Sequence, residues 1–143
     1  MFTDPKELGA RFYDEVVNQQ KYELIDELVD ENFVEHEEFP GTSQDRDGVG
    51  QFFRLFRAAF PDMHCTVDRM IAEGDIVVTQ TTTRGTHEGQ LLGVPPTGNK
   101  VEFSAIDIVR VANDKAVEHW GVTDTMALME QIGALAGEGA ASA

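Results

Sequence analysis

Hydrophobic residues recur at helical spacing up to residue 60 of the chain, and the spacing changes to alternation after Pro61. The helical part predicts three helices: one that begins at Asp4-Pro5, a second over residues 22–31, and a third over residues 47–60. The third helix is the clearest, because large aromatic side chains recur on one face and a proline ends it. These side chains are Phe52, Phe53, Phe56 and Phe60. Such a stripe is typical of a helix that faces a hydrophobic core.

The alternating part predicts an antiparallel sheet. Its four strands cover residues 64–72, 76–87, 100–112 and 116–123. Residues 33–36 form a further short strand or an extended turn, and a last helix covers residues 125–132 before Gly133. Helices followed by an antiparallel meander predict an α+β domain.

The strand over residues 100–112 is apolar on both of its faces. Phe103 and Val109 share one face, and Ile106 and Ile108 share the other. A strand of this kind must be covered on both sides. The helices can cover only one side of the sheet, so we expect a second copy of the chain to cover the other side in a homodimer.

The length and the content of apolar residues indicate one domain. The chain has 143 residues, of which 41% are hydrophobic. We predict a single domain over residues 1–136 and a disordered tail over residues 137–143. The only cysteine, Cys65, has no partner for a disulfide within the chain. No signal peptide and no membrane-spanning run is evident, so we expect a cytoplasmic protein.

The net charge argues against two classes of partner. There are 26 acidic and 11 basic residues, which gives a net charge of −15. A surface of this sign repels nucleic acids and anionic membranes, so we expect neither as a partner. The acids are spread along the chain and predict a solvated acidic coat. Such a coat suits a halophilic protein, and we expect mild unfolding on dilution into low salt.

The segment Glu118-His119-Trp120-Gly121-Val122-Thr123-Asp124 is the most informative motif. On a strand, Glu118, Trp120, Val122 and Asp124 would share one face. A carboxylate held against such an apolar surface has a raised pKa and can exchange protons near neutral pH. Asp124 also precedes an apolar helical run, where aspartate is a favoured N-cap. The segment alone leaves these two interpretations of Asp124 open.

Three further polar residues are candidates for the same chemistry. Asp107 shares a face with apolar residues, where it acts in a pocket or is a hydrogen-bonded structural acid. His87 ends its strand beside a loop, where it is an acid or base at a pocket mouth or a structural histidine. His36 lies in a pocket or on the surface. His64 and His119 carry less weight, since His119 has the parity opposite to Trp120.

Metal, phosphate and nucleophile motifs are missing from the sequence. The four histidines are dispersed, and no cysteine pair accompanies them, so we predict no metal site. No glycine-rich loop precedes a helix, and no serine lies in a nucleophile elbow. Acid–base chemistry without a cofactor remains.

Several ordered motifs resemble those of the SnoaL-like polyketide cyclases, also called ester cyclases. They are Phe52-Phe53 with Ala58-Ala59-Phe60-Pro61-Asp62, Gly85-Thr86-His87-Glu88-Gly89, Leu92 to Gly98, Ile106-Asp107-Ile108, and Glu118 to Asp124. The resemblance spans nearly the whole chain. It implies the cone-shaped α+β barrel of the nuclear-transport-factor-2-like superfamily, usually dimeric, and a cofactor-free intramolecular aldol ring closure.

The resemblance also implies roles for individual residues. Asp124 matches the acid–base catalyst of the family, and His87 and Asp107 match positions that line the pocket. We expect a small apolar or aromatic ligand against an apolar wall. That wall would consist of Trp120, His36, Phe53, Phe56 and Phe103.

Other functions of the same fold are alternatives. An epoxide hydrolase needs an Asp–Arg–Asp set in the cavity, but Arg84 and Arg110 have the parity opposite to Asp107. A ketosteroid-isomerase-like enzyme needs a tyrosine paired with an acid, and Tyr13 and Tyr22, the two tyrosines of the chain, both lie on predicted helices. A dimeric protein that binds a small molecule without catalysis is the alternative from another class.

Overall fold

A computed structural model describes residues 4–134 of the chain. Within this range four α-helices pack on one five-stranded sheet, which is the predicted α+β class. The helices are α1 (Pro5–Arg11), α2 (Ile25–Leu28), α3 (Arg46–Ala59) and α4 (Thr125–Gln131). The strands are β1 (Val29–Glu35), β2 (His64–Glu73), β3 (Ile76–Thr86), β4 (Lys100–Ala112) and β5 (Lys115–Thr123). The predicted tail over residues 137–143 lies outside the described residues.

The sheet has the strand order β1-β5-β4-β3-β2. Strands β2 to β5 form the predicted antiparallel meander. The fifth strand, β1, is longer than the predicted segment 33–36 and pairs with β5 in parallel. The predicted helix over residues 22–31 is correspondingly wrong: it shrinks to a 3₁₀ turn and the single turn of α2, and Val29 already begins β1. Pairing with β5 outweighs the weak helical preference of this short segment.

The first helix continues beyond its α-helical part. Asp4 caps α1 by accepting a hydrogen bond from the backbone N–H of Lys6 (3.0 Å). Residues Phe12–Asn18 then wind as a π-helix, in which the N–H of Gln19 bonds to the carbonyl of Asp14 (3.1 Å). The wider turn changes the direction of side chains relative to an α-helix, and such turns are frequent at functional sites.

Strand β5 contains a bulge that decides which residues face the helices. Ala116 pairs with Val111 of β4, but Glu118 already pairs with Arg110, so that Val117 is an extra residue. The extra residue inverts the alternation along the strand. As a result Ala116 faces inward, and from His119 onward the odd-numbered residues face inward.

The inner face of the sheet and the helices enclose the core. Its larger cluster includes Phe56, Phe60, Phe103 and Leu128, all buried. None of the helices within residues 4–134 combines the length and the apolar content that crossing a membrane requires.

Candidate functional site

A cavity of about 160 Å³ lies between the first helical segment, α3 and the inner face of the sheet. Most of its wall is apolar. Among the lining residues are Phe12, Phe53, Phe56, Phe103 and Val109. Pockets of this kind, with a few polar groups at fixed positions, are the usual sites of small ligands.

The polar groups are concentrated on three adjacent strands. Neighbouring positions on β4, β5 and β1 bring together Asp107, His119 and Glu35. Nε2 of His119 bonds to Oδ1 of Asp107 at 2.8 Å, and Nδ1 bonds to Oε1 of Glu35. All three side chains line the cavity and are largely buried. The imidazole is therefore fixed at both nitrogens.

Tyr13 approaches the same carboxylate from the helical side. The π-helical segment directs its hydroxyl into the cavity, where it donates a hydrogen bond to Oδ2 of Asp107 at 2.8 Å. Both carboxylate oxygens of Asp107 thus accept a hydrogen bond. The contacts form one chain of hydrogen bonds from Tyr13 through Asp107 and His119 to Glu35.

Glu37 adds a further carboxyl group to this end of the cavity. It accepts a hydrogen bond from the hydroxyl of Thr123 (2.9 Å), and one oxygen lies within 4.8 Å of ligand atoms of Asp107 and His119. Gly121 makes this approach possible. A Cβ atom at Gly121 would lie 2.6 Å from Oε1 of Glu37 and 2.8 Å from Oδ1 of Asp107.

The surroundings shift the pKa of three of these groups. Burial lowers the pKa of His119, but the hydrogen bonds and charges of Asp107 and Glu35 outweigh it and raise the pKa to about 10. Burial raises the pKa of Glu37, and the nearby Asp107 acts in the same direction. Burial and Asp107 also raise the pKa of Tyr13 well above its ordinary value. At neutral pH the site therefore contains the imidazolium of His119, the neutral phenol of Tyr13 and the carboxyl group of Glu37, whose raised pKa disfavours ionisation.

Glu37, Asp107 and His119 also have the spacing of a metal-binding group. A metal ligand must be a neutral imidazole with a free lone pair on one nitrogen. His119 instead uses both nitrogens as donors to carboxylates, and its pKa of about 10 keeps both protonated. The imidazolium already supplies the positive charge at this position, so the donor set does not fit a metal ion.

The cavity contains four of the eight site residues that the sequence predicts. Asp107, Phe53, Phe56 and Phe103 all line it. The other four lie elsewhere. Asp124 is exposed and accepts a hydrogen bond from the N–H of Ala127 (3.1 Å), which makes it the N-cap of α4. Of the two interpretations of Asp124, the structure shows the helix N-cap.

His87 is fully buried, away from the lining of the cavity. Its ring lies 5.7 Å from that of Phe60, and its Nδ1 is hydrogen-bonded to the hydroxyl of Thr97 (2.9 Å). Burial lowers the pKa of His87 and favours the neutral ring. In this position His87 connects β3 to the loop that follows it.

His36 and Trp120 pack against each other outside the cavity. Their rings are stacked at 5.0 Å, and Nε2 of His36 bonds to Oε2 of Glu118 at 2.6 Å. Trp120 and Glu118 belong to the outward face of β5 because the bulge inverts the strand. His119 has the parity that carried little weight among the sequence-based candidates, but it is His119 that faces the cavity. Glu35, Glu37 and Tyr13 are the other site residues that the sequence pattern did not indicate.

Comparison with known proteins identifies relatives over nearly the whole chain. The family model described as SnoaL-like polyketide cyclase matches residues 7–132. Among solved structures, IdmH from Streptomyces antibioticus, a proposed polyketide cyclase, is 34% identical, with 90% of this chain and 98% of that chain covered and a TM-score of 0.78. A proposed polyketide cyclase from Bacillus cereus is 31% identical, with coverages of 92% and 82% and a TM-score of 0.81.

Another solved structure with this fold is named for a different activity. AclR from Streptomyces galilaeus, a proposed hydroxylase, is 27% identical, with coverages of 90% and 80% and a TM-score of 0.79. A search of curated proteins gave no match. The reaction therefore has to be argued from the site itself.

Proposed function

Because the chain belongs to the SnoaL-like polyketide cyclase family, we propose that it catalyses an intramolecular aldol ring closure, without a cofactor, on a small apolar carbonyl compound in the cavity. The observation that carries this proposal is the pair of carboxyl groups, Asp107 and Glu37, at the polar end of an apolar cavity. An aldol closure needs one base and one acid beside the same ligand. The two carboxyl groups have different surroundings, which suits them to the two roles.

Asp107 is the base in this proposal. It accepts hydrogen bonds from Tyr13 and from the imidazolium of His119, and both contacts stabilise the carboxylate. Lone pairs on its two oxygens remain for a proton of the ligand. The carboxylate removes a proton from a carbon next to a carbonyl group and leaves an enolate.

Glu37 is the acid. Burial raises its pKa, which favours the protonated form. The enolate carbon attacks a second carbonyl carbon of the same molecule, so that a carbon–carbon bond forms and the carbonyl electron pair moves to oxygen. Glu37 protonates that oxygen. The product is an isomer of the substrate, and no oxidant or reductant is consumed.

His119, Glu35 and Tyr13 are positioning residues. The hydrogen bond to Glu35 fixes the imidazolium ring, which in turn fixes Oδ1 of Asp107. The Tyr13 hydroxyl fixes Oδ2. Groups that are held before the ligand arrives do not have to reorganise during the reaction.

The test uses heptane-2,6-dione, an uncharged diketone that closes to 3-hydroxy-3-methylcyclohexanone. Proton NMR in D₂O follows both exchange of its α-protons and ring closure. We expect the protein to accelerate both, and Asp107→Asn to remove both. Glu37→Gln should retain exchange and lose closure. Equal rates for the native protein and Asp107→Asn would contradict the proposal.

Asp124→Asn is the matched control, since it makes the same chemical change at an acid outside the cavity. Asparagine is as good an N-cap as aspartate, so the fold should persist. We expect turnover to be unchanged. Loss of turnover in Asp124→Asn alone would instead support the catalytic role that the family resemblance implies for Asp124.

The hydrogen bond between Tyr13 and Asp107 favours a second candidate, a proton-transfer isomerase without ring closure. Tyr13 lies on a helical segment, but the π-helical turn brings its hydroxyl to 2.8 Å from an acid. This candidate predicts α-proton exchange that depends on Asp107 without closure of the dione. A protein that binds without catalysis would show neither reaction.

A further inference from the structure

A row of threonine hydroxyls lines the cavity beside the polar network. Thr79, Thr81 and Thr83 alternate along β3 and face inward. Thr79 and Thr81 are only 3% exposed. Burying a hydroxyl costs free energy unless it has a hydrogen-bond partner, and valine has the same shape without that cost. The groups that lie beside these hydroxyls therefore indicate what kind of ligand the threonines can bind.

The neighbouring groups divide the row into two parts. Thr79 lies beside Tyr13 and so belongs to the polar end of the cavity. Thr81 and Thr83 lie beside the thiol of Cys65 on β2. Thiol sulfur is a weak acceptor. A carbonyl or hydroxyl oxygen of a ligand in the cavity would be a better partner for both hydroxyls than the sulfur.

The distance along the sheet limits the ligand that can reach both parts. Thr79 pairs with Asp107 across β3 and β4, and Thr81 pairs with Ala105. Two residues along a strand correspond to about 7 Å. One six-membered ring with an oxygen at each end spans such a distance.

The size of the cavity gives the same limit. An apolar cavity of about 150 Å³ in another protein holds a benzene molecule. The cavity here has about 160 Å³. One ring therefore fills it, and a system of three or four fused rings would have to project outside.

We propose that Thr81 and Thr83 bind a second oxygen of the ligand, and that the ligand class is an uncharged compound of about one ring with two oxygen functions. One oxygen belongs to the carbonyl group at Asp107 and Glu37. The other lies beside the threonine hydroxyls. The orientation of the first oxygen rests on the proposed function, whereas the threonine subsite is tested by binding alone.

The experiment compares the binding of cyclohexane-1,4-dione and cyclohexanone by NMR titration. The compounds have nearly the same shape and differ by one oxygen. We expect the native protein to bind the dione about threefold to tenfold more tightly, the gain typical of one hydrogen bond. Thr81→Val should remove this preference and leave the affinity for cyclohexanone unchanged, and Thr83→Val should reduce it.

Thr82→Val is the matched control. Thr82 lies between the two residues on β3, faces outward and bonds to Asp68 (2.5 Å). This variant should keep the preference for the dione. Absence of a preference in the native protein, or its persistence in Thr81→Val, would overturn the subsite. Tighter binding of anthraquinone than of either probe would overturn the size limit.

The titrations are repeated with Asp107→Asn. A preference for the dione that persists in this variant confirms the threonine subsite whether or not the protein catalyses ring closure. Ring closure of heptane-2,6-dione without any such preference would overturn the subsite and leave the proposed function intact.

Discussion

His119 holds a positive charge between two carboxylates, and this charge makes the free energy of unfolding depend on pH. The pKa rises from an ordinary value of 6.5 to about 10 in the folded chain. Below pH 6.5 both states carry the proton and the contribution to stability is complete. As the pH rises from 6.5 to about 10 the unfolded state alone loses its proton, so we expect the free energy of unfolding to fall.

Urea unfolding between pH 6 and pH 10 measures this dependence, and NMR of the imidazole carbons measures the pKa directly. His119→Gln should flatten the decrease, because glutamine cannot titrate. His64→Gln replaces an exposed histidine at the start of β2 and should leave it unchanged. An imidazole of His119 that titrates near pH 6.5 would contradict the proposed chain of hydrogen bonds.

Gly121 on β5 is a position at which an added methyl group would contact three side chains of the site. A Cβ there would meet Glu37, Asp107 and His119 at 2.6, 2.8 and 2.8 Å. We expect Gly121→Ala to displace Glu37 and to slow ring closure of heptane-2,6-dione by about 10²-fold, since small displacements have large effects on catalysis.

The control for this variant is Val122→Ala, the neighbouring position on the outward face. It should keep the rate of ring closure. Thermal unfolding of both variants separates a local effect from loss of the fold: Gly121→Ala should remain folded, because its three contacts are with side chains that can move. An unchanged rate of ring closure in Gly121→Ala would contradict the role of Glu37.

At the scale of single elements, the bulge in β5 explains which site residues could be predicted from the sequence. Simple alternation places Asp107 and Phe103 inward, and the regular strand β4 obeys it. In β5 the extra residue Val117 inverts the alternation, so His119 faces the cavity and Trp120 does not. The sequence has no glycine or proline at this bulge from which it could be predicted. The inward direction of Tyr13 could not be predicted either, because it depends on a π-helical turn.

Helix α4 provides the prediction at this scale. Asp124 caps it, and Leu128 and Ile132 anchor its segment in the core. We expect Asp124→Ala to lower the free energy of unfolding by about 1 kcal/mol, the usual cost of a lost N-cap, while Asp124→Asn retains it. Chemical denaturation measures the difference. Loss of turnover in Asp124→Ala under conditions where the variant remains folded would contradict a purely structural role.

At the scale of the whole molecule, the order of helices and strands was enough to predict the α+β class. The addition of β1 to the sheet was not, because a parallel partner far away in sequence leaves no local signal. That strand contributes Glu35 and leads into Glu37, so two of the three carboxyl groups at the site depend on a long-range pairing. The salt dependence expected from a net charge of −15 stays a prediction.

The outward face of the sheet carries the last prediction, a homodimer. Ile71, Ile106 and Val122 point away from the helices and are 62%, 49% and 74% exposed. Apolar side chains grouped on one sheet face are typical of a surface that a partner covers. A second copy would place the same face against itself about a two-fold axis. We expect light scattering after size exclusion to give the mass of a dimer.

Val122→Asp should convert that dimer into a monomer, because each interface would then bury two unpaired carboxylates. Met126→Asp introduces the same charge at a similarly exposed position on α4 and should leave the dimer intact. A native protein of monomer mass, or a Val122→Asp variant of dimer mass, would contradict the prediction. Because His36 and Trp120 stack on the outward side and do not line the cavity described above, a dimer would also give this pair of aromatic rings a role at the interface instead of in the site.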